Sequence, residues 1–84
     1  MFEIEYTREA SKALLSLPRN LRESIRGKIE LLAMDPFAAP NVKKLLGRNG
    51  YRLRVADWRV IYEVHGDRLV IQILTIAPRG GAYK

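Results

Sequence analysis

The chain has 84 residues, of which 48% are hydrophobic and 29% charged, with no cysteine, one histidine and a formal net charge of +6. That length suits one domain, residues 1–84, with an adequate but small core, and the composition is that of a globular chain rather than a disordered or membrane-spanning one. The missing thiols exclude disulfides, cysteine nucleophiles and zinc–thiolate sites, and a lone histidine excludes a His-rich centre, so no metal and no cofactor are expected.

Phe2, Ile4 and Tyr6 alternate with Glu3 and Glu5. This period of two predicts a short strand at a sheet edge, where the two glutamates form a solvated face rather than a metal or acid–base pair. The same glutamates argue against a signal peptide, and no apolar run approaches the roughly 20 residues of a spanning helix. A cytoplasmic protein with no membrane association is expected. Thr7 can cap a helix running to about Leu17, with Ala10, Ala13, Leu14 and Leu17 on one face. After Pro18, a second helix is expected from about Asn20, with Glu23 at the capping-box position and Leu21, Ile25, Ile29 and Leu32 as its apolar stripe. Asp35-Pro36 ends it. The opposite face, with Arg19, Arg22, Arg26 and Lys28, reads as a solvated helix surface.

Residues 36–50 are rich in Pro, Gly and Asn and predict an irregular connector, pinned to the core by Val42, Leu45 and Leu46. Three strands follow: Tyr51 to Val55, Trp58 to His65 after an Ala56-Asp57 turn, and Leu69 to Ile76 after Gly66-Asp67. The last is nearly all apolar, as a central strand should be. The expected architecture is α+β: a strand, a two-helix hairpin, then a three-stranded antiparallel meander, with the helices on one face of a curled sheet.

Charge is distributed unevenly along this plan. Residues 1–42 carry six basic and six acidic side chains, whereas residues 43–84 carry nine basic and three acidic. The excess centres on KKLLGRNGYRLRVADWR, residues 43–59, which holds Lys43, Lys44, Arg48, Arg52, Arg54 and Arg59 against Asp57 alone. Because Tyr51, Leu53 and Val55 alternate with Arg52 and Arg54, the two arginines share the outer face of their strand. Their side chains should emerge about 7 Å apart, near the phosphate repeat of a nucleic-acid strand. An anionic partner held by one face is the implication. Within that face, Lys43, Lys44 and Arg48 are candidates for contact with RNA backbone. His65, beside a turn, reads as a surface residue outside the site, and Trp58 and Tyr62 as core or rim residues.

The KKLLG segment, the run YRLRVADWRVIYEV, the strand after the Gly-Asp turn, and a terminal Arg with Tyr four positions later resemble the RelE/ParE superfamily of toxin-antitoxin toxins. The likeness is greatest to its RelE branch of messenger-RNA endonucleases and covers nearly the whole chain. By matching position, it implies Arg52, Arg54, Arg59 and Arg79 as catalytic basic residues, with Tyr83 as the aromatic partner near the carboxyl end. Many relatives carry further basic residues before that tyrosine where this chain has Pro78-Arg79-Gly80-Gly81, and some use lysines where it has Arg52 and Arg54. The resemblance implies a cognate antitoxin, and a toxin acting on messenger RNA in the ribosomal A site, with operator DNA reached only through the antitoxin complex. Two other functions stay open: a ParE-like gyrase inhibitor, and a catalytically weak nucleic-acid-binding homologue that acts with its antitoxin.

The chemistry implied is metal-independent RNA cleavage, in which the adjacent 2′-OH attacks the phosphorus. Arginine stays protonated near neutral pH, so it serves poorly as a base, but its fork grips phosphate oxygens more strongly as their charge grows in the transition state. On this reading Arg59 and Arg79 clamp the scissile phosphate, Arg52 and Arg54 hold its register, and Tyr83 exchanges a proton with the 2′-OH or stacks on a base.

Overall fold

A computed structural model describes residues 1–37 and 39–78. The first helix, α1 (Arg8–Leu15), starts where Thr7 stops the preceding strand β1 (Glu3–Tyr6). The Thr7 hydroxyl oxygen accepts from the Ala10 N–H at 3.1 Å, which satisfies one of the helix's orphan donors. That hydroxyl donates in turn to the Leu74 carbonyl at 3.1 Å and so ties the helix start to a strand 67 residues away. Ala10 and Leu14 are buried on one side of α1 and Leu17 just beyond it, which is the expected stripe, although the helix ends two residues before Leu17.

The second helix, α2 (Arg19–Leu31), starts at Arg19 with Pro18 as its N-cap and no side-chain cap bond. The capping box expected of Asn20 and Glu23 therefore does not form. Proline supplies a φ of −56°, already suited to helix entry, so the helix begins a residue earlier and Asn20 falls inside its first turn. Ile25, Ile29 and Leu32 are fully covered, while the basic side chains of the other face are exposed apart from the half-buried Arg22.

The connector is not wholly irregular. It contains an edge strand, β2 (Val42–Lys44), which pairs antiparallel with β3 (Tyr51–Val55), Val42 lying opposite Leu53 and Lys43 opposite Arg52. Composition hid this strand because two of its three residues are lysines, residues that edge strands use to discourage further pairing. Leu45 is buried as expected, but Leu46 is 97% exposed and pins nothing. Gly50 precedes β3 with φ +119°, a conformation that glycine adopts without strain.

Strands β3, β4 (Trp58–His65) and β5 (Val70–Pro78) form the expected antiparallel meander. The sheet has five strands in the order β1-β5-β4-β3-β2, with β1 at one edge and parallel to β5. This interior position matches the apolar character of β5. Ile61 pairs with Thr75 and Tyr62 with Ile73, so Leu74 is an extra residue, a bulge. Its carbonyl is the one that the Thr7 hydroxyl reaches.

Both helices contribute to one core with the inner face of the sheet, where Leu53, Val55, Val60, Tyr62, Ile71 and Ile73 are covered. At its margin an aromatic series crosses the layers. Tyr62 stacks on Tyr51 at 5.7 Å, Tyr51 meets Phe37 edge-on at 5.6 Å, and Phe37 meets Phe2 at 6.4 Å. The Tyr62 hydroxyl donates to the Pro36 carbonyl at 2.7 Å, which fixes the connector to the sheet. Burial, with smaller contributions from Tyr51 and Asp35, pushes the Tyr62 phenol well above its ordinary range.

Candidate nucleic-acid interface

Because β3 buries Leu53 and Val55 beneath the helices, Arg52 and Arg54 must stand on the opposite face. The pairing carries this alternation into neighbouring strands: Lys43 of β2 lies across from Arg52, and Arg54 lies across from Arg59 of β4. Residues directly opposite in an antiparallel pair have Cβ atoms about 4.5–5.5 Å apart. Four cationic side chains are thus assembled on three adjacent strands by sheet register. Arg52 also has Ile61 as its partner across to β4, so its aliphatic stem has apolar surface to lie on. Arg54 and Arg59 face each other as like charges, a pairing that costs about 0.2–1 kcal/mol relative to a neutral one.

The row continues into a cleft of about 350 Å³ at the free end of β2, lined by Lys43, Lys44, Leu45, Leu46, Arg48 and Arg52. Three residues expected to touch RNA backbone are therefore gathered around Arg52. Lys43 and Lys44 reach the cleft from the edge strand and Arg48 from the turn that follows it. Arg79 and Tyr83, the remaining site residues, lie outside the described residues.

Two side chains absent from the sequence-based site share this outer face. Alternation along β4 places Glu63 and His65 on the side of Arg59 and Ile61. His65 Nε2 is 3.7 Å from Glu63 Oε1 and 3.4 Å from Gln72 Oε1, and the His65 and Glu63 side chains are each about one-third exposed. His65 is the last residue of β4, beside the Gly66-Asp67 turn, as the sequence placed it. The period of two in Arg59, Ile61, Glu63 and His65 was the available signal, masked by the nearby Gly-Asp turn. Among the described residues, no group of three His, Cys, Asp or Glu side chains comes together as a metal site would require. Nor is any described helix long and apolar enough to cross a membrane.

The outer face of this small α+β fold gathers Lys43, Arg52, Arg54 and Arg59 by sheet register, and comparison with known proteins supplies the class to which such a chain belongs. Residues 4–83 match the family described as the ParE toxin of type II toxin-antitoxin systems, parDE. A Methanocaldococcus jannaschii protein named as a toxin, RelE1, is 34% identical over 86 residues, covering 99% of this chain and 96% of the relative. A chain of the archaeal RelE–RelB complex from Pyrococcus horikoshii is 34% identical and superposes with a TM-score of 0.82, over 96% of this chain and 98% of that one. A chain of the RelB–RelE antitoxin–toxin complex from Methanococcus jannaschii is 27% identical with a TM-score of 0.73, over 94% of each chain. At 19% identity and a TM-score of 0.84, covering 99% of this chain and 89% of that one, the isolated E. coli RelE toxin shares the fold. This chain belongs to the RelE/ParE family and is a toxin of the type II toxin-antitoxin class.

Proposed function

We propose that the chain is an endoribonuclease that inhibits translation by cutting messenger RNA presented in the ribosomal A site. The observation that carries this reading is the convergence of Arg52, Arg54, Arg59 and Lys43 on one sheet face, continuous with the cleft holding Lys44 and Arg48. A surface of that shape suits a ribose–phosphate chain, whose charges repeat at a spacing comparable to alternate residues of a strand. Two relatives, each 34% identical to this chain, carry RelE names.

The reaction follows from the side chains available. The 2′-OH of the nucleotide on the 5′ side attacks the adjacent phosphorus, the bond to the 5′ oxygen breaks, and a 2′,3′-cyclic phosphate and a free 5′-OH result. One proton leaves the nucleophile and one reaches the departing oxygen. Arg59 and Arg79 grip the equatorial oxygens as their charge grows, Arg52 and Arg54 hold the scissile phosphate and its neighbour in line, and Lys43, Lys44 and Arg48 hold the flanking backbone. Tyr83 either exchanges the nucleophile's proton or stacks on a base. With cations doing most of the work, free RNA is a poor substrate and the ribosome's alignment of the message supplies what the toxin lacks.

The partner is a cognate antitoxin that covers or distorts the basic face, as chains similar to this one occur in RelE–RelB complexes. Operator DNA is reached through that complex. A second reading, inhibition of gyrase without RNA cleavage, takes its support from the ParE description of the matching family. Primer extension on a messenger in a purified translation mix separates the two. New 5′ ends within codons, reduced about 10²–10³-fold by Arg59→Ala or Arg79→Ala, are expected for a nuclease whose clamp has lost one donor. Tyr83→Phe then distinguishes proton transfer, which it abolishes, from stacking, which it preserves. Intact messenger together with inhibited DNA supercoiling would establish the gyrase reading instead.

A further inference from the structure

A second concavity of about 250 Å³ lies where β3 begins and β4 ends, and it shares Lys44 with the basic cleft. Phe37, Tyr51, Glu63 and His65 line it as well, together with Asn49, Gly50 and Val64. We infer that this concavity is a nucleobase pocket, set beside the phosphate-binding cleft and selecting a base that carries an exocyclic amino group.

Three features support it together. The first is an aromatic wall: Phe37 is 53% exposed although it lies within an ordered series of rings, edge-on to Tyr51 at 5.6 Å and to Phe2 at 6.4 Å. An exposed, immobilised phenyl ring can stack a base with little further loss of entropy. The second is a polar edge. Glu63 is an acceptor for amino groups such as N4 of cytosine, and His65 stands 3.7 Å from it, held also near Gln72 at 3.4 Å. A carboxylate on an otherwise cationic face repels phosphate, so its use there is to read a base. The third is adjacency. Lys44 lines both cavities, so a nucleotide with its phosphate among Lys43, Arg48 and Arg52 has its base within reach of Phe37 and Glu63. Uracil, with O4 in place of the amino group, would bring an acceptor to the Glu63 carboxylate.

This inference rests on the chain being an RNA-binding toxin but needs no cleavage. The test is amide chemical-shift titration of the toxin, freed of its antitoxin, with CMP, UMP and ribose 5-phosphate. CMP is expected to move the amides of Tyr51, Glu63 and His65 as well as those of Lys43, Arg48 and Arg52. Ribose 5-phosphate should move only the latter group. UMP should bind about tenfold more weakly than CMP, the scale of one lost base-edge contact. Phe37→Ala should weaken CMP about tenfold while leaving ribose 5-phosphate unchanged. Glu63→Gln should erase the preference for CMP, and the spectra themselves report that each variant is folded. CMP and ribose 5-phosphate moving the same amides, equal affinity for CMP and UMP, or no shift at Tyr51, Glu63 and His65 would each overturn the pocket. Primer extension judges the nuclease reading separately: a chain that cuts messenger but fails here loses only the base pocket, and one that binds CMP here without cutting keeps the pocket and loses the nuclease.

Discussion

Replacing Tyr62 with phenylalanine removes one oxygen atom and should affect both the core and the ground on which the site stands. Tyr62 is fully buried, and its hydroxyl donates to the Pro36 carbonyl at 2.7 Å, beside the residue that carries the exposed ring of the second cavity. Pro36 is buried as well, so Tyr62→Phe leaves an acceptor without its donor and without ready access to water. Such an orphaned group costs about 1–3 kcal/mol. For a chain of this size, the corresponding fall in Tm at neutral pH is about 5–20 °C. The pH dependence gives an independent check. Burial holds the folded-state phenol above the value of 10.0 of an exposed tyrosine. A group whose folded pKa is raised contributes stability that is fully present below its unfolded pKa and lost as pH rises through the folded one. The parent should therefore lose about 1.4 kcal/mol per pH unit above pH 10 from this residue, and the variant should not. Denaturant unfolding of both proteins at pH 7, 9, 10 and 11 measures the gap between them. A neutral-pH difference under about 0.5 kcal/mol, or a gap that fails to narrow above pH 10, would refute the hydroxyl's role as the lock between connector and sheet.

Two glycines should respond in opposite directions to alanine. At Gly50, with φ +119°, a Cβ would come within 2.9 Å of the Tyr62 carbonyl oxygen, a backbone atom that cannot turn aside, so Gly50→Ala should lower stability by at least about 1–3 kcal/mol in a chemical melt. Gly27 lies in α2 with nothing within 4 Å of its would-be Cβ, so Gly27→Ala should raise stability by about 0.5–1 kcal/mol through helix propensity and chain entropy. Arg54→Thr should raise Tm slightly, by about 1–5 °C, because it relieves the like-charge pair with Arg59 in a position where threonine suits a strand. The same variant should flatten the salt dependence of single-stranded RNA binding by about one unit of slope, measured by fluorescence polarisation across a salt series. A drop in Tm, or an unchanged slope, would show that Arg54 serves the fold rather than the bound chain.

Much of the plan was written in local periodicity. Alternation in YRLRV determined that Arg52 and Arg54 share a face, because side chains of one strand project to alternate sides whatever its neighbours are. The stripes Ala10, Leu14, Leu17 and Ile25, Ile29, Leu32 determined the helix hairpin for the same kind of reason, since only one side of each helix can be buried economically. The turns were marked by short polar runs. What periodicity could not supply was the identity of partners distant along the chain. Only the tertiary structure decided that the edge strand β1 pairs in parallel with β5, and that a lysine-rich piece of the connector becomes β2 with Lys43 opposite Arg52. It also decided that the Tyr62 hydroxyl closes on Pro36, and that Glu63 and His65 end beside Phe37. These depend on which strands meet and in what register, and that choice minimises the free energy of the whole chain: loop closure, burial of both layers, and pairing of every buried backbone group count together. No window of neighbouring residues contains that sum.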